Sequence, residues 1–118
     1  MKMKLLIVED NLQMRQMIRA VVSDLAETIA ECADGEEAVA AYEAQHLSSG
    51  DRVLMDLQMP RVGGLEATRR IRADFPDANI IIVTQHDDPH WRTAATQAGA
   101  IGYVLKENLL DVRRMLQL

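Results

Sequence analysis

Apolar residues fall along this chain in two rhythms. One is the short unbroken run: Leu5-Leu6-Ile7-Val8, Val53-Leu54-Met55 and Ile80-Ile81-Ile82-Val83. Runs of this kind suit strands buried on both faces, as in a parallel sheet. Ile101-Gly102-Tyr103-Val104-Leu105 is a fourth, and the more mixed Thr28 to Ala33 predicts an edge strand. The other rhythm is helical. Met14, Met17, Ile18, Val21, Val22 and Leu25 recur at three- and four-residue spacing and form one stripe. Asp34 is placed to cap a helix carrying Ala38, Val39 and Tyr42, and another helix is predicted from about Leu65 to Asp74, stopping before Pro76. Asp88-Pro89 joins a capping side chain to a proline at the first helical position, and that helix should end at Gly99. The last helix carries Leu109, Val112, Met115 and Leu116 on one face, with Asn108 as its cap.

The predicted order is strand then helix, five times over. Such alternation implies a parallel sheet covered by helices on both faces. Right-handed crossovers leave few topologies. The expected fold is a three-layer α/β sandwich of the (βα)5, flavodoxin-like kind, with a parallel five-stranded sheet in the order 2-1-3-4-5. A length of 118 residues fits one domain over 1–118, and no repeat, low-complexity tract or linker divides it.

Composition narrows the function. The formal net charge is −5, so no broad basic footprint exists and direct nucleic-acid binding by these residues is not expected. The single Cys32 excludes an internal disulfide framework and fits a reducing compartment. No apolar run approaches the roughly 18 residues of a membrane span. Met1-Lys2-Met3-Lys4 leads directly into a run too short for a signal peptide. A cytoplasmic protein is expected.

In a parallel sheet all strands end on one edge, and ligands bind beyond it where the strand order reverses. Glu9 and Asp10 follow the first apolar run, Asp56 the third, Thr84 closes the fourth and Lys106 follows the fifth. Three carboxylates, a hydroxyl and an ammonium should therefore converge. Clustered carboxylates need a counter-charge. A hard divalent ion such as Mg²⁺ supplies one through oxygen ligands. A carboxylate is also able to take a phosphoryl group, with Mg²⁺, Lys106 and Thr84 placed to neutralise the transferred oxygens.

The segments Leu6-Ile7-Val8-Glu9-Asp10, Val53 to Pro60, Gly64-Leu65-Glu66, Ile82-Val83-Thr84 and Gly102 to Lys106 stand in one order at these strand ends. In them the chain resembles a response-regulator receiver domain over essentially its whole length. Its Gly102–Glu107 segment is most similar to receivers of NarL/LuxR-type regulators. The resemblance implies that Asp56 accepts a phosphoryl group from a sensor histidine kinase. It implies Mg²⁺ held by Asp10, Asp56 and the main-chain carbonyl of Gln58, with Glu9 acting through water. Lys106 would pair with Asp56 and then with the phosphate. Thr84 would move toward the phosphate, Tyr103 would turn inward with it, and the surface around the fourth helix and fifth strand would change. The chain would catalyse only its own phosphorylation and dephosphorylation. Two readings of its reach stand side by side: a stand-alone regulator acting by protein contact, and a receiver whose transcriptional output domain lies outside this chain, with pairing of two copies on phosphorylation open to either.

Some residues depart from the family pattern. Glu107 replaces the usual proline after the lysine, and Gln85 follows Thr84 where a small residue is commoner. Gln58 stands where haloacid-dehalogenase-like phosphatases carry a second aspartate, which argues against a true phosphatase. A phosphorylation-independent scaffold is the third class of function, and the complete acidic set argues against it. His86, Asp87, Asp88 and His90 lack the spacing of a transition-metal motif and read as a polar loop entering a capped helix.

Overall fold

The computed structural model describes residues 2–117. Met1 and Leu118, the outermost residues of the domain expected from the sequence, lie outside the described residues. Each apolar run forms a strand: β1 is Met3–Val8, β3 Arg52–Met55, β4 Ile80–Thr84 and β5 Gly102–Leu105, with β2 over Ala26–Cys32. The helices are α1 (Leu12–Val22), α2 (Ala38–Ala44), α3 (Gly64–Asp74), α4 (Pro89–Ala98) and α5 (Leu110–Leu116). All strand pairings are parallel and the sheet order is β2-β1-β3-β4-β5, the flavodoxin-like order expected.

Strand alternation divides the core into two layers. Leu5, Ile7, Leu54, Ile81, Val83 and Val104 face one side, where Ile18 and Val22 of α1 and Val112 and Leu116 of α5 cover them. Leu6, Val8, Val53, Met55, Ile80 and Ile82 face the other, packed with Tyr42 of α2, Ile71 of α3 and Ala95 of α4. Burial on both faces is why these strands read as continuous apolar runs. Among the described residues no helix is long and apolar enough to cross a membrane.

The structure corrects several local expectations. β2 starts at Ala26 rather than Thr28, because a 3₁₀ turn at Ser23–Leu25 delivers the chain directly to a partner at Met3. Met17 is 53% exposed, and Leu25 lies in that turn beyond the end of α1. The core face of α1 is narrower than the sequence stripe and centres on Ile18 and Val22. Asn108 does not cap the last helix: Lys106–Asn108 form a 3₁₀ turn, and α5 begins after Leu109 without a side-chain cap. Asp34 does not cap α2 either. It closes the turn before that helix, accepting from the Glu36 and Glu37 N–H groups. Asp88 caps α4 through the His90 N–H at 2.7 Å, with Pro89 next and Gly99 left-handed at the far end, as read from the sequence.

Candidate functional site

Two sheet-like bonds continue past the strand ends and fix the acidic residues. The Glu9 N–H donates to the Cys32 carbonyl at 3.0 Å, and the Asp56 N–H donates to the Val8 carbonyl at 3.0 Å. Glu9 and Asp10 thus leave the end of β1 beside Asp56, which follows the neighbouring central strand β3. Asn11 then caps α1 by accepting from the Met14 N–H at 2.9 Å. One carboxylate oxygen from each of Glu9, Asp10 and Asp56 lies within 4.8 Å of the others.

Lys106, at the end of β5, reaches into this group. Its Nζ is 2.7 Å from Glu9 Oε1 and 3.2 Å from Asp56 Oδ1. Glu9 Oε2 accepts from the Asn11 N–H at 3.1 Å, and Asp56 Oδ1 from the Leu57 N–H at 2.9 Å. Asp56 Oδ2 accepts no hydrogen bond among the described residues, and Asp56 lines the cleft. That cleft holds about 450 Å³ and is lined by Glu9, Asp10, Asp56, Gln58, Thr84 and Lys106, with Gln85, Met14 and Met17 completing part of its wall.

Glu9 is 1% exposed and Asp56 6%, whereas Asp10 is exposed. Burial pushes the Glu9 carboxyl up to about 7; the Asp56 charge adds to this, and Lys106 and the Asn11 amide oppose it. Burial likewise raises Asp56 above the ordinary carboxylate range in spite of Lys106. For Lys106 burial works against the charge, but the Glu9 and Asp56 carboxylates outweigh it and hold the ammonium above its ordinary value. With all three carboxylates ionised, one ammonium leaves a charge of −2 unmatched. A hard divalent cation with oxygen ligands fits both that deficit and the donor set.

Thr84 is fully buried, and its hydroxyl accepts from the His86 N–H at 3.2 Å. Tyr103 does not line the cleft. Its hydroxyl donates to the His86 carbonyl at 2.6 Å, and the Arg92 guanidinium carbon stands 4.6 Å from its ring centre. Arg92 also pairs with Asp87 at 2.9 Å. The residues read from the sequence therefore divide. Glu9, Asp10, Asp56, Gln58, Thr84 and Lys106 share one cleft, while Tyr103 lies outside its lining and is linked to Thr84 through the His86 backbone. His86 and His90 pack on Trp91, with ring centres 5.6 and 6.0 Å from the indole.

Two supporting residues were missed by the sequence reading. Arg15 donates to the Glu9 carbonyl at 2.8 Å and pairs with Glu31 at 2.7 Å, tying the acidic turn to α1 and β2. Its signal was a place one turn into a helix capped directly after Asp10. Gly64 packs so closely that a Cβ there would lie 1.9 Å from the Asp56 carbonyl oxygen. It stood in a recognised motif, but its spatial partner is not visible in the string of residues.

A doubly wound α/β domain with a lysine-countered acidic cleft at the strand ends is the class that this fold and site define. Comparison with known proteins narrows it. The model of the response regulator receiver domain family matches residues 5–117. The transcriptional regulatory protein DegU of Brevibacillus brevis is 33% identical over 90% of this chain and 44% of its own length. The response regulator UvrY of Escherichia coli is 39% identical over 86% of this chain and 46% of its own. A LuxR-family two-component response regulator from Aurantimonas has a crystal structure that superposes with a TM-score of 0.85 at 31% identity, covering 99% of this chain and 86% of that one. The chain belongs to the response regulator receiver domain family and is a module of two-component signalling. Receiver domains interact with histidine kinases, generally bind Mg²⁺ at an acidic pocket and are not classical enzymes. The chain spans about half the length of the curated relatives it matches.

Proposed function

We propose that this chain is a phosphorylation-controlled switch in which Asp56 accepts a phosphoryl group from the phosphohistidine of a sensor kinase. The observation that carries the reading is the convergence of Glu9, Asp10 and Asp56 with Lys106 in one cleft. Asp56 Oδ2, which no hydrogen bond engages among the described residues, attacks phosphorus. The N–P bond breaks, its electron pair stays on the imidazole nitrogen, and an aspartyl phosphate forms. Attack of water on that phosphate returns free Asp56 and inorganic phosphate, so the only chemistry is the domain's own phosphorylation and dephosphorylation.

Asp10, Asp56 and the Gln58 main-chain carbonyl would hold Mg²⁺ directly, with Glu9 acting through water. Bound there, the ion would neutralise charge on the phosphoryl oxygens. Lys106 stands 3.2 Å from Asp56 Oδ1, placed to exchange that contact for a phosphate oxygen. Thr84 offers its hydroxyl from the cleft wall. On turning to the phosphate it gives up the His86 N–H, and the His86 carbonyl held by Tyr103 shifts with it. A local charge event thereby biases the surface of α4 and β5, which a partner reads.

The relatives' greater length favours an output domain outside this chain, with transcription control as the readout, pairing of phosphorylated copies as a route to it and the cytoplasm as the setting. The test is intact mass after incubation with Mg²⁺ and acetyl phosphate, beside Asp56→Asn. A Mg²⁺-dependent gain of one phosphoryl group in the wild type alone is expected. Equal uptake by both proteins would overturn the assignment of Asp56.

A further inference from the structure

Asp34 is a buried carboxylate that this chemistry does not use; it is 5% exposed. It stands in the turn between β2 and α2. Its Oδ1 accepts the Glu36 N–H at 2.8 Å and the Glu37 N–H at 3.3 Å. Its Oδ2 takes the Arg61 guanidinium, through Nε at 3.2 Å and through Nη2. The Arg61 guanidinium beside Asp34 holds its carboxyl below the usual range, so the pair stays ionic across ordinary pH.

Arg61 comes from the loop between β3 and α3, the loop that begins at Asp56. Its φ is 63°, a left-handed conformation that costs a non-glycine residue about 1 kcal/mol or more and persists where surroundings hold it. A second link lies beside the first. The Gly35 N–H donates to the Val62 carbonyl at 3.1 Å, and a Cβ on Gly35 would come within 2.5 Å of that oxygen. The two loops therefore meet backbone to backbone, with the ion pair alongside.

The same loop is closed at its base by the Gly64 N–H on the Leu57 carbonyl at 2.8 Å. Between base and tip hang Gln58 and Met59, and among the described residues no hydrogen bond holds either. Gln58 carries the main-chain carbonyl assigned above to the cation. Its position follows from the two anchors, one of which is the contact with the β2–α2 turn.

We propose that Asp34 and Arg61 are positioning residues for the cation site: a clasp between two loops that sets the Gln58 carbonyl, resting on the Mg²⁺ reading given above. Asp34→Asn is a minimal probe. It keeps Oδ1 for the two turn N–H groups and turns Oδ2 into a donor facing the guanidinium. Arg61→Gly opens the clasp from the other side and relieves the left-handed φ, and Arg61→Lys retains the charge.

The experiment is calorimetric titration of MgCl₂ into the whole chain, with the amide NMR shifts of residues 58–62 recorded in the absence of metal and the thermal midpoint of each variant. Asp34→Asn and Arg61→Gly should each weaken Mg²⁺ binding about tenfold. Arg61→Lys should weaken it less, and the double variant should be no worse than either single change, because both open one contact. The Gln58 and Met59 amides should shift before any metal is added. Variants with lower midpoints but wild-type Mg²⁺ affinity would overturn the clasp alone. Absence of saturable binding in the wild type, or binding undisturbed in Asp10→Asn, would overturn the Mg²⁺ reading and the clasp with it.

Discussion

At neutral pH Glu9 stands near the midpoint of its titration, since burial lifts its carboxyl from 4.5 to about 7. The folded, cation-free protein therefore holds a proton that the unfolded chain has already lost. That proton's contribution to stability is complete below 4.5 and disappears as the pH rises through about 7. A cation competes for the same oxygens, so Mg²⁺ affinity should run the opposite way, increasing between about pH 6 and pH 8. Glu9→Gln should flatten that dependence and weaken Mg²⁺ binding. It should also stabilise the cation-free protein at about pH 8 by roughly 1–2 kcal/mol, with little effect at about pH 5. Calorimetry and urea unfolding at the two pH values check this, and a steep pH dependence surviving in Glu9→Gln would refute it. The acidic residues themselves were legible because each follows an apolar run. Asp34 was misread as a helix cap because the residue that claims its second oxygen, Arg61, lies 27 positions away. No local pattern carries that information.

The elements were legible in proportion to how fully they are buried. β1, β3 and β4 read as unbroken apolar runs because helices cover both their faces. The start of β2 was missed since an edge strand keeps polar residues such as Glu27, and its pairing with Met3 extends it to Ala26. Met17 looked like core by spacing alone. The turn that ends α1 and the cleft beside it leave that flank open. The β3–α3 loop shows how backbone contact constrains an element more tightly than hydrophobic pattern does. At Gly64 an added methyl meets the Asp56 carbonyl oxygen at 1.9 Å, and backbone cannot yield as a side chain can. Gly64→Ala should cost about 3 kcal/mol. Gly102 is the control, because a Cβ there meets Met115 Cε at 2.1 Å, the free end of a flexible side chain. Gly102→Ala should cost about 1 kcal/mol. Urea midpoints of the two variants give the comparison, and equal losses would contradict the backbone argument.

Across the whole molecule, the cleft is assembled at the ends of β1, β3, β4 and β5 with α1 beside them, so it exists only when the sheet has formed. A cation that binds this edge binds the folded state alone. Thermal unfolding should then depend on Mg²⁺, with stabilisation of about 2.7 kcal/mol when the free ion is a hundredfold above its dissociation constant. Asp10→Asn should abolish the dependence, and a midpoint indifferent to Mg²⁺ in the wild type would count against the site. Strand order was readable from alternation and handedness, whereas the route between cleft and surface was not. That route passes through His86, whose N–H meets the Thr84 hydroxyl and whose carbonyl meets the Tyr103 hydroxyl. Both atoms belong to the main chain, so the imidazole takes no part in either bond. A substitution at this position therefore leaves both main-chain partners in place while it reshapes the aromatic patch against Trp91 and the stretch of cleft wall that the imidazole lines.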